Sequence, residues 1–180
     1  MILSIQHGEV DLRNPEKECH ETVFDYCVSR YKKLGQTIPR AENHDERVNI
    51  LWKAVAGQNR LTPQNLNTVQ PGYIIGFFKA DGNCYHSMIA LDQDIWVGTN
   101  NYQTFDIDQL AVVFYDIPDF TEKGQRRVSL SNDSKIKNIY CGAHWDKDKN
   151  TWKSPYEEYI VRYRDIITMP ITNCDICSYK

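Results

Sequence analysis

Apolar residues recur at three- and four-residue steps through residues 14–35, where Val23, Phe24, Cys27, Val28, Tyr31 and Leu34 fall on one side. Pro15 suits a first helical turn, Glu16, Glu18 and Glu21 gather near the start, and Arg30, Lys32 and Lys33 near the end before Gly35. That order predicts a helix with one buried face. A second helix is predicted over residues 45–56, with Val48, Leu51, Trp52 and Val55 on one side and Gly57 as its stop. Thr62-Pro63 reads as an N-cap and first-turn proline, opening a short helix before Pro71-Gly72 breaks the chain.

After Gly72 the pattern becomes one of strands at residues 73–78, 85–91 and 95–99, separated by Asp81-Gly82-Asn83 and Asp92-Gln93-Asp94. These predict an antiparallel meander. A capped helical turn is expected at residues 104–110, where Thr104 or Asp106 can accept from freed amides, and further strands at 111–115, 127–130, 136–141 and 159–169. Helices first and an antiparallel sheet afterwards predict the α+β class, an N-terminal helix packed on the sheet. At 180 residues, with no internal repeat and no linker-like tract, the expected organisation is a single domain over 1–180.

Composition narrows the functional classes. With 41% hydrophobic and 12% aromatic residues the chain can bury a core. Twenty-one basic against 24 acidic residues, with no long Lys/Arg block, disfavour nucleic acid as a partner. The apolar runs 73–78 and 111–115 fall far short of the roughly 20 residues a membrane helix needs. The start Met-Ile-Leu-Ser-Ile-Gln-His-Gly-Glu lacks the basic and apolar regions of a cleaved secretory signal, which predicts synthesis in the cytoplasm. Six irregularly spaced cysteines favour free thiols, a catalytic thiol or a metal over a disulfide framework.

Cys19 stands near the start of the first predicted helix, where unpaired backbone N–H groups favour thiolate over thiol. His86 opens the apolar run Ser87-Met88-Ile89-Ala90-Leu91, a position from which a neutral imidazole can face a cleft and take a thiol proton. A hairpin centred on Gln93 sets His86 opposite Asn100, and a loop shifted by one residue sets it opposite Asn101. Either amide can orient the ring. Asn14 is a candidate oxyanion donor beside the Cys19 amide.

The runs Glu18-Cys19-His20-Glu21-Thr22-Val23-Phe24, Pro71-Gly72-Tyr73-Ile74-Ile75-Gly76-Phe77-Phe78, His86-Ser87-Met88-Ile89-Ala90 and Trp96-Val97-Gly98-Thr99-Asn100-Asn101 resemble the papain-like superfamily. They are most similar to its compact bacterial branch, the NlpC-type amidases and papain-fold toxin domains. The resemblance spans residues 14–106, leaving 107–180 as a β-rich extension. It implies a papain-like, NlpC-like fold and a Cys-His-Asn site in which Cys19 is nucleophile, His86 base and Asn100 or Asn101 orienter. No cofactor is needed. The implied function is a bacterial toxin or effector, a cysteine hydrolase acting on a peptide or protein in a target cell. It would be delivered by a dedicated secretion system, with an immunity protein or chaperone as partner. Protease, peptidoglycan amidase and glutamine deamidase activities all share its acyl-enzyme step, as does acyl transfer. The polar residues flanking Cys19, where many NlpC-type enzymes carry a small or aromatic one, leave the substrate open.

Two further patterns compete for attention. Cys141 with His144 and Cys174 with Cys177 are pairs with two intervening residues, a spacing that suits a Cys3His zinc site and a non-catalytic interaction module. Cys84-Tyr85-His86 is a shorter pair that would draw His86 into such a site. The aromatic-rich stretch 145–163 is expected to pack on the sheet rather than line a groove, with 146–150 as a solvated hairpin turn.

Overall fold

The computed structural model describes residues 2–11, 17–52, 59–92, 95–99, 112–116, 126–129, 144–153 and 158–166. Strands β1 (Ile2–Ile5) and β2 (Gly8–Asp11) form a hairpin, followed by helices α1 (Cys19–Lys33) and α2 (His44–Trp52). The short β3 (Asn59–Arg60) and one 3-10 turn at Leu66–Thr68 lead into the meander β4 (Ile74–Phe78), β5 (Cys84–Asp92) and β6 (Ile95–Thr99). It continues through β7 (Val112–Asp116) and β8 (Arg126–Ser129). Strands β9 (His144–Asp146), β10 (Thr151–Lys153) and β11 (Glu158–Arg164) complete the larger sheet. The molecule is α+β, and the sheet order is β8-β7-β6-β5-β4-β11-β10-β9, with β3 also on β11. No helix among the described residues is long and apolar enough to cross a membrane.

Helix α1 starts at Cys19, later than the apolar pattern suggests, because Glu18 is extended at φ −64°, ψ 151° and takes the N-cap position. Its carbonyl accepts the Thr22 N–H at 3.0 Å. Cys19 is thus the first helical residue. At the other end Gly35 adopts φ +72°, and the Gln36 and Gly35 amides donate back to the Tyr31 and Lys32 carbonyls at 2.8 and 3.1 Å. This closure needs a left-handed residue, which glycine supplies at no steric cost. In α2 the Asn43 side chain accepts the Glu46 N–H at 3.0 Å, and the Glu46 carboxylate accepts the Glu42 N–H at 2.7 Å.

The short helix expected after Thr62-Pro63 does not form there. Asn65 Oδ1 accepts the Thr62 N–H at 2.8 Å and Asn65 Nδ2 donates to the Arg60 carbonyl at 2.9 Å, a side-chain closure that competes with helix. Only the Leu66–Thr68 turn follows. The β1–β2 hairpin carries no Asn-Gly or Asp-Gly signal, since Gln6 and His7 hold its turn at φ 45° and 66°. The meander has the expected register: Ile89 faces Val97 and Ala90 faces Trp96, pairs symmetric about Gln93. The described strands after residue 107 join the same sheet, and β11 lies directly against β4 in its middle. Turn 147–150 joins β9 to β10 as expected, and Trp152, Tyr159 and Tyr163 are buried.

Two apolar clusters lie on the two faces of the sheet. The first joins α1 and α2 to the sheet through Val23, Phe24, Cys27, Leu51, Trp52, Ile74, Phe78, Ile89 and Val97. The second joins Phe77, Met88, Ala90 and Trp96 to Leu61, Val69, Trp152 and Tyr159. Gly76 in β4 makes the first face shallow enough for α2. A Cβ there would come within 2.7 Å of Trp52 Cζ2 and 2.8 Å of Phe78 Cε2. Replacing Gly76 with Ala is therefore expected to push Trp52 off the sheet and destabilise the fold by about 1–3 kcal/mol. The denaturation midpoint of Gly76→Ala checks this, and a midpoint equal to wild type would refute the packing argument.

Candidate functional site

The site begins with how α1 meets the sheet. Cys19, Thr22, Val23, Tyr26, Cys27, Arg30 and Tyr31 are buried at helical spacing on its inner side. Two polar contacts fix its first turn. Thr22 Oγ1 lies 2.8 Å from Thr99 Oγ1 on β6, and His20 Nδ1 lies 2.8 Å from Ser87 Oγ on β5. The first turn is thus held to the neighbouring strands β5 and β6, which pair with each other, and Cys19 is fully buried there.

Ser87 Oγ is the centre of this arrangement. It accepts the Trp52 Nε1–H at 3.0 Å, meets His20 Nδ1 at 2.8 Å and lies 3.8 Å from Cys84 Sγ. A hydroxyl has two lone pairs and one proton. One assignment that uses all three has Trp52 and His20 donating to Ser87 while Ser87 donates to Cys84, whose thiol in turn donates to the His86 carbonyl at 3.3 Å; the opposite one has Trp52 and Cys84 donating to Ser87 and Ser87 donating to His20 Nδ1. The first of these leaves the lone pair on His20 Nε2. Nε2 is buried and has no hydrogen-bond partner among the described residues.

Burial, and then the neighbouring His44, lower the His20 pKa to about 4, so the ring is neutral near pH 7. The rings of His20 and His44 meet edge to face at 5.0 Å. His44 Nδ1 in turn lies 2.9 Å from Glu18 Oε2, so the N-cap residue engages a histidine with its carboxylate instead of capping the helix. His86 is also held neutral: burial, then His20, push its pKa well below the usual histidine value. Burial raises the thiol of Cys27 to about 12 and that of Cys84 further, which leaves both as inert thiols.

The structure does not bring His86 to the side of the sheet that α1 covers. Phe77 faces His86 while Phe78 faces Cys84, so Tyr85 is the extra residue of a β-bulge. Cys84 and Ile89 belong to the helix-side cluster, whereas Met88 and Ala90 belong to the other. His86 alternates with Met88 and Ala90. Its ring lies 5.8 Å from that of Phe77, and its Nε2 would be 3.5 Å from a Cβ on Gly98. The imidazole beside the α1 start is His20, which the sequence offers no obvious reason to choose. Its one signal is position: it follows Cys19 directly, at the first turn of a helix packed on β5.

Asn14, Asn100 and Asn101 lie outside the described residues, as do Cys141, Cys174 and Cys177; His144 is the first residue of β9. Cys19, Cys27 and Cys84 form no disulfide among the described residues. Among the described residues no group of three His, Cys, Asp or Glu side chains is placed to hold a metal ion. A cavity of about 510 Å³ adjoins the cluster, bounded by α2 and the turn between β4 and β5.

The buried histidines make stability depend on pH. A ring kept neutral in the fold binds its proton more readily when unfolded, so the unfolded state gains protons first as pH falls. Stability is expected to be complete above about pH 6.5, the ordinary histidine value, and to decline as pH falls toward about 4, where His20 charges in the fold. Thermal midpoints of wild type and His20→Gln between these limits test it. The variant should show the shallower decline, and identical slopes would remove His20 from the account.

No protein-family model, curated protein or solved structure matches this chain.

Proposed function

We propose that the chain is a cysteine hydrolase of papain-like kind in which Cys19 attacks an amide carbonyl. The observation that carries the reading is the first turn of α1, where Cys19 is followed in sequence by a buried, neutral imidazole whose Nδ1 is anchored on Ser87 and whose Nε2 has no hydrogen-bond partner among the described residues. A general base needs that combination. An antiparallel meander beneath the helix supports the likeness in fold.

On this reading His20 Nε2 takes the Cys19 thiol proton, and the thiolate sulfur bonds to the carbonyl carbon. The proton then passes to the leaving nitrogen as the C–N bond breaks, leaving a thioester on Cys19. Water, giving its proton back to His20, hydrolyses that thioester and restores the thiol. Ser87 keeps the ring in place by accepting from Nδ1, the part an amide or carboxylate plays in other cysteine hydrolases. Glutamine deamidation follows the same steps with ammonia as leaving group. His86 with Asn100 or Asn101 is the other assignment of base and orienter, the one the family resemblance implies.

Site-resolved mass spectrometry of Cys19 alkylation by iodoacetamide across pH tests the reading, with wild type, His20→Ala and His86→Ala compared. Full burial of Cys19 makes the test demanding. Labelling well below about pH 8, slowed in His20→Ala and unchanged in His86→Ala, is the expected result. The reverse pattern would transfer the base to His86. Labelling of Cys19 only after denaturation would end the hydrolase proposal. Once a substrate is in hand, loss of the base should lower kcat/KM by about 10²–10⁴-fold, and Cys19→Ala should abolish turnover.

A further inference from the structure

The cavity beside the cluster has a definite chemistry. Helix α2 lines one wall with His44, Asp45, Val48, Asn49 and Trp52, a single stripe at helical spacing. Opposite stand Phe78 at the end of β4, Gly82 and Asn83 in the turn, and Cys84 at the start of β5. Its volume of about 510 Å³ falls in the range of about 300–1,000 Å³ typical of ligand pockets.

Its polarity is graded. Trp52 and Phe78, packed edge to face at 5.4 Å and both buried, form the apolar depth with Val48 and Cys84. Asp45 and Asn49, one turn apart on α2, form the polar rim. His44 is occupied by Glu18, and the Asn83 amide donates to Asp81 at 2.9 Å. Asp45 has no ion-pair partner among the described residues. The rim thus offers one uncommitted carboxylate above an aromatic floor. Arg162 already lies 5.5 Å over the Phe78 ring, so an incoming cation is matched to Asp45 rather than to that ring.

We propose that this cavity receives a basic side chain, lysine or arginine, of a peptide substrate, its alkyl stem along Trp52, Val48 and Phe78 and its charged head at Asp45 and Asn49. The substrate role rests on the cysteine hydrolase reading, because the cavity shares its wall with the cluster around Cys19. Cys84 and Trp52 line it and both meet Ser87, and the His44 ring touches that of His20. A long stem with a cationic tip matches both layers at once. An acidic side chain would meet Asp45 with Glu18 nearby, and an aliphatic one would leave the carboxylate unmatched.

Calorimetric titration of the full chain with the tripeptides acetyl-Ala-X-Ala-amide, where X is Arg, Lys, norleucine or Glu, tests the proposal without requiring turnover. Arg and Lys are expected to bind about fivefold or more tighter than norleucine and Glu, and Asp45→Asn should erase that preference. Asn43 remains as the N-cap of α2, so the variant keeps its helix, and an unchanged melting temperature verifies this. Equal binding of the four peptides, absence of binding, or a preference that survives Asp45→Asn overturns the proposal. The same sequences as coumarin amides separate the two readings. A basic preference in binding with no turnover retains the pocket and refutes cleavage of these peptides, whereas turnover without a basic preference retains the hydrolase and refutes the pocket.

Discussion

The hydroxyl of Ser87 joins the elements on which the rest of this structure depends. One oxygen on β5 meets the indole of α2, the imidazole at the first turn of α1 and the thiol at the start of its own strand. In the low-dielectric space between helices and sheet each of these groups would be costly if left unpaired, by about 1–3 kcal/mol apiece. Meeting at a single atom they are satisfied together, and their directions fix how both helices sit. The thiol of Cys19 inherits its position from that constraint, since the next residue anchors the turn.

The chemistry follows from the same burial. Desolvation disfavours charge on His20 and His86 and on the thiols of Cys27 and Cys84, so these two imidazoles are held neutral and these two thiols protonated. A neutral ring accepts a proton at the nitrogen that carries its lone pair, and His20 Nε2 is buried with no hydrogen-bond partner among the described residues. Charge is kept at the margin. Glu18 with His44 and the carboxylate of Asp45 stand at the solvent side of the cluster, where Trp52 and Phe78 give way to polar residues.

Much of this was legible in the linear pattern. Val23, Phe24, Cys27 and Tyr31 identified the inner face of α1, because side chains three and four residues apart share a side of any helix, whereas Val28 and Leu34, read on the same face, are exposed. The turn at Gln93 set the pairing of β5 with β6, because a hairpin's centre fixes which residues oppose one another. Cys19 stood out as a thiol at a helix start. The hairpin of β1 and β2 was hidden because its turn uses Gln6 and His7 where glycine or asparagine would have announced it. The role of β11 was equally hidden, since nothing local says that a strand near the end will lie beside β4.

Sequence by itself determined the two helices, the meander from β4 to β6 and the α+β order, because helix and strand periodicities are properties of short segments. Tertiary structure decided which imidazole shares the side of Cys19. Tyr85 bulges from β5, so Cys84 and Ser87 point to the helices while His86 points with Met88 and Ala90 to the far cluster. A bulge shifts every later residue by one position against its partner strand. The bulge is a relation between β4 and β5, with Phe77 facing His86 and Phe78 facing Cys84, that no single stretch of chain contains.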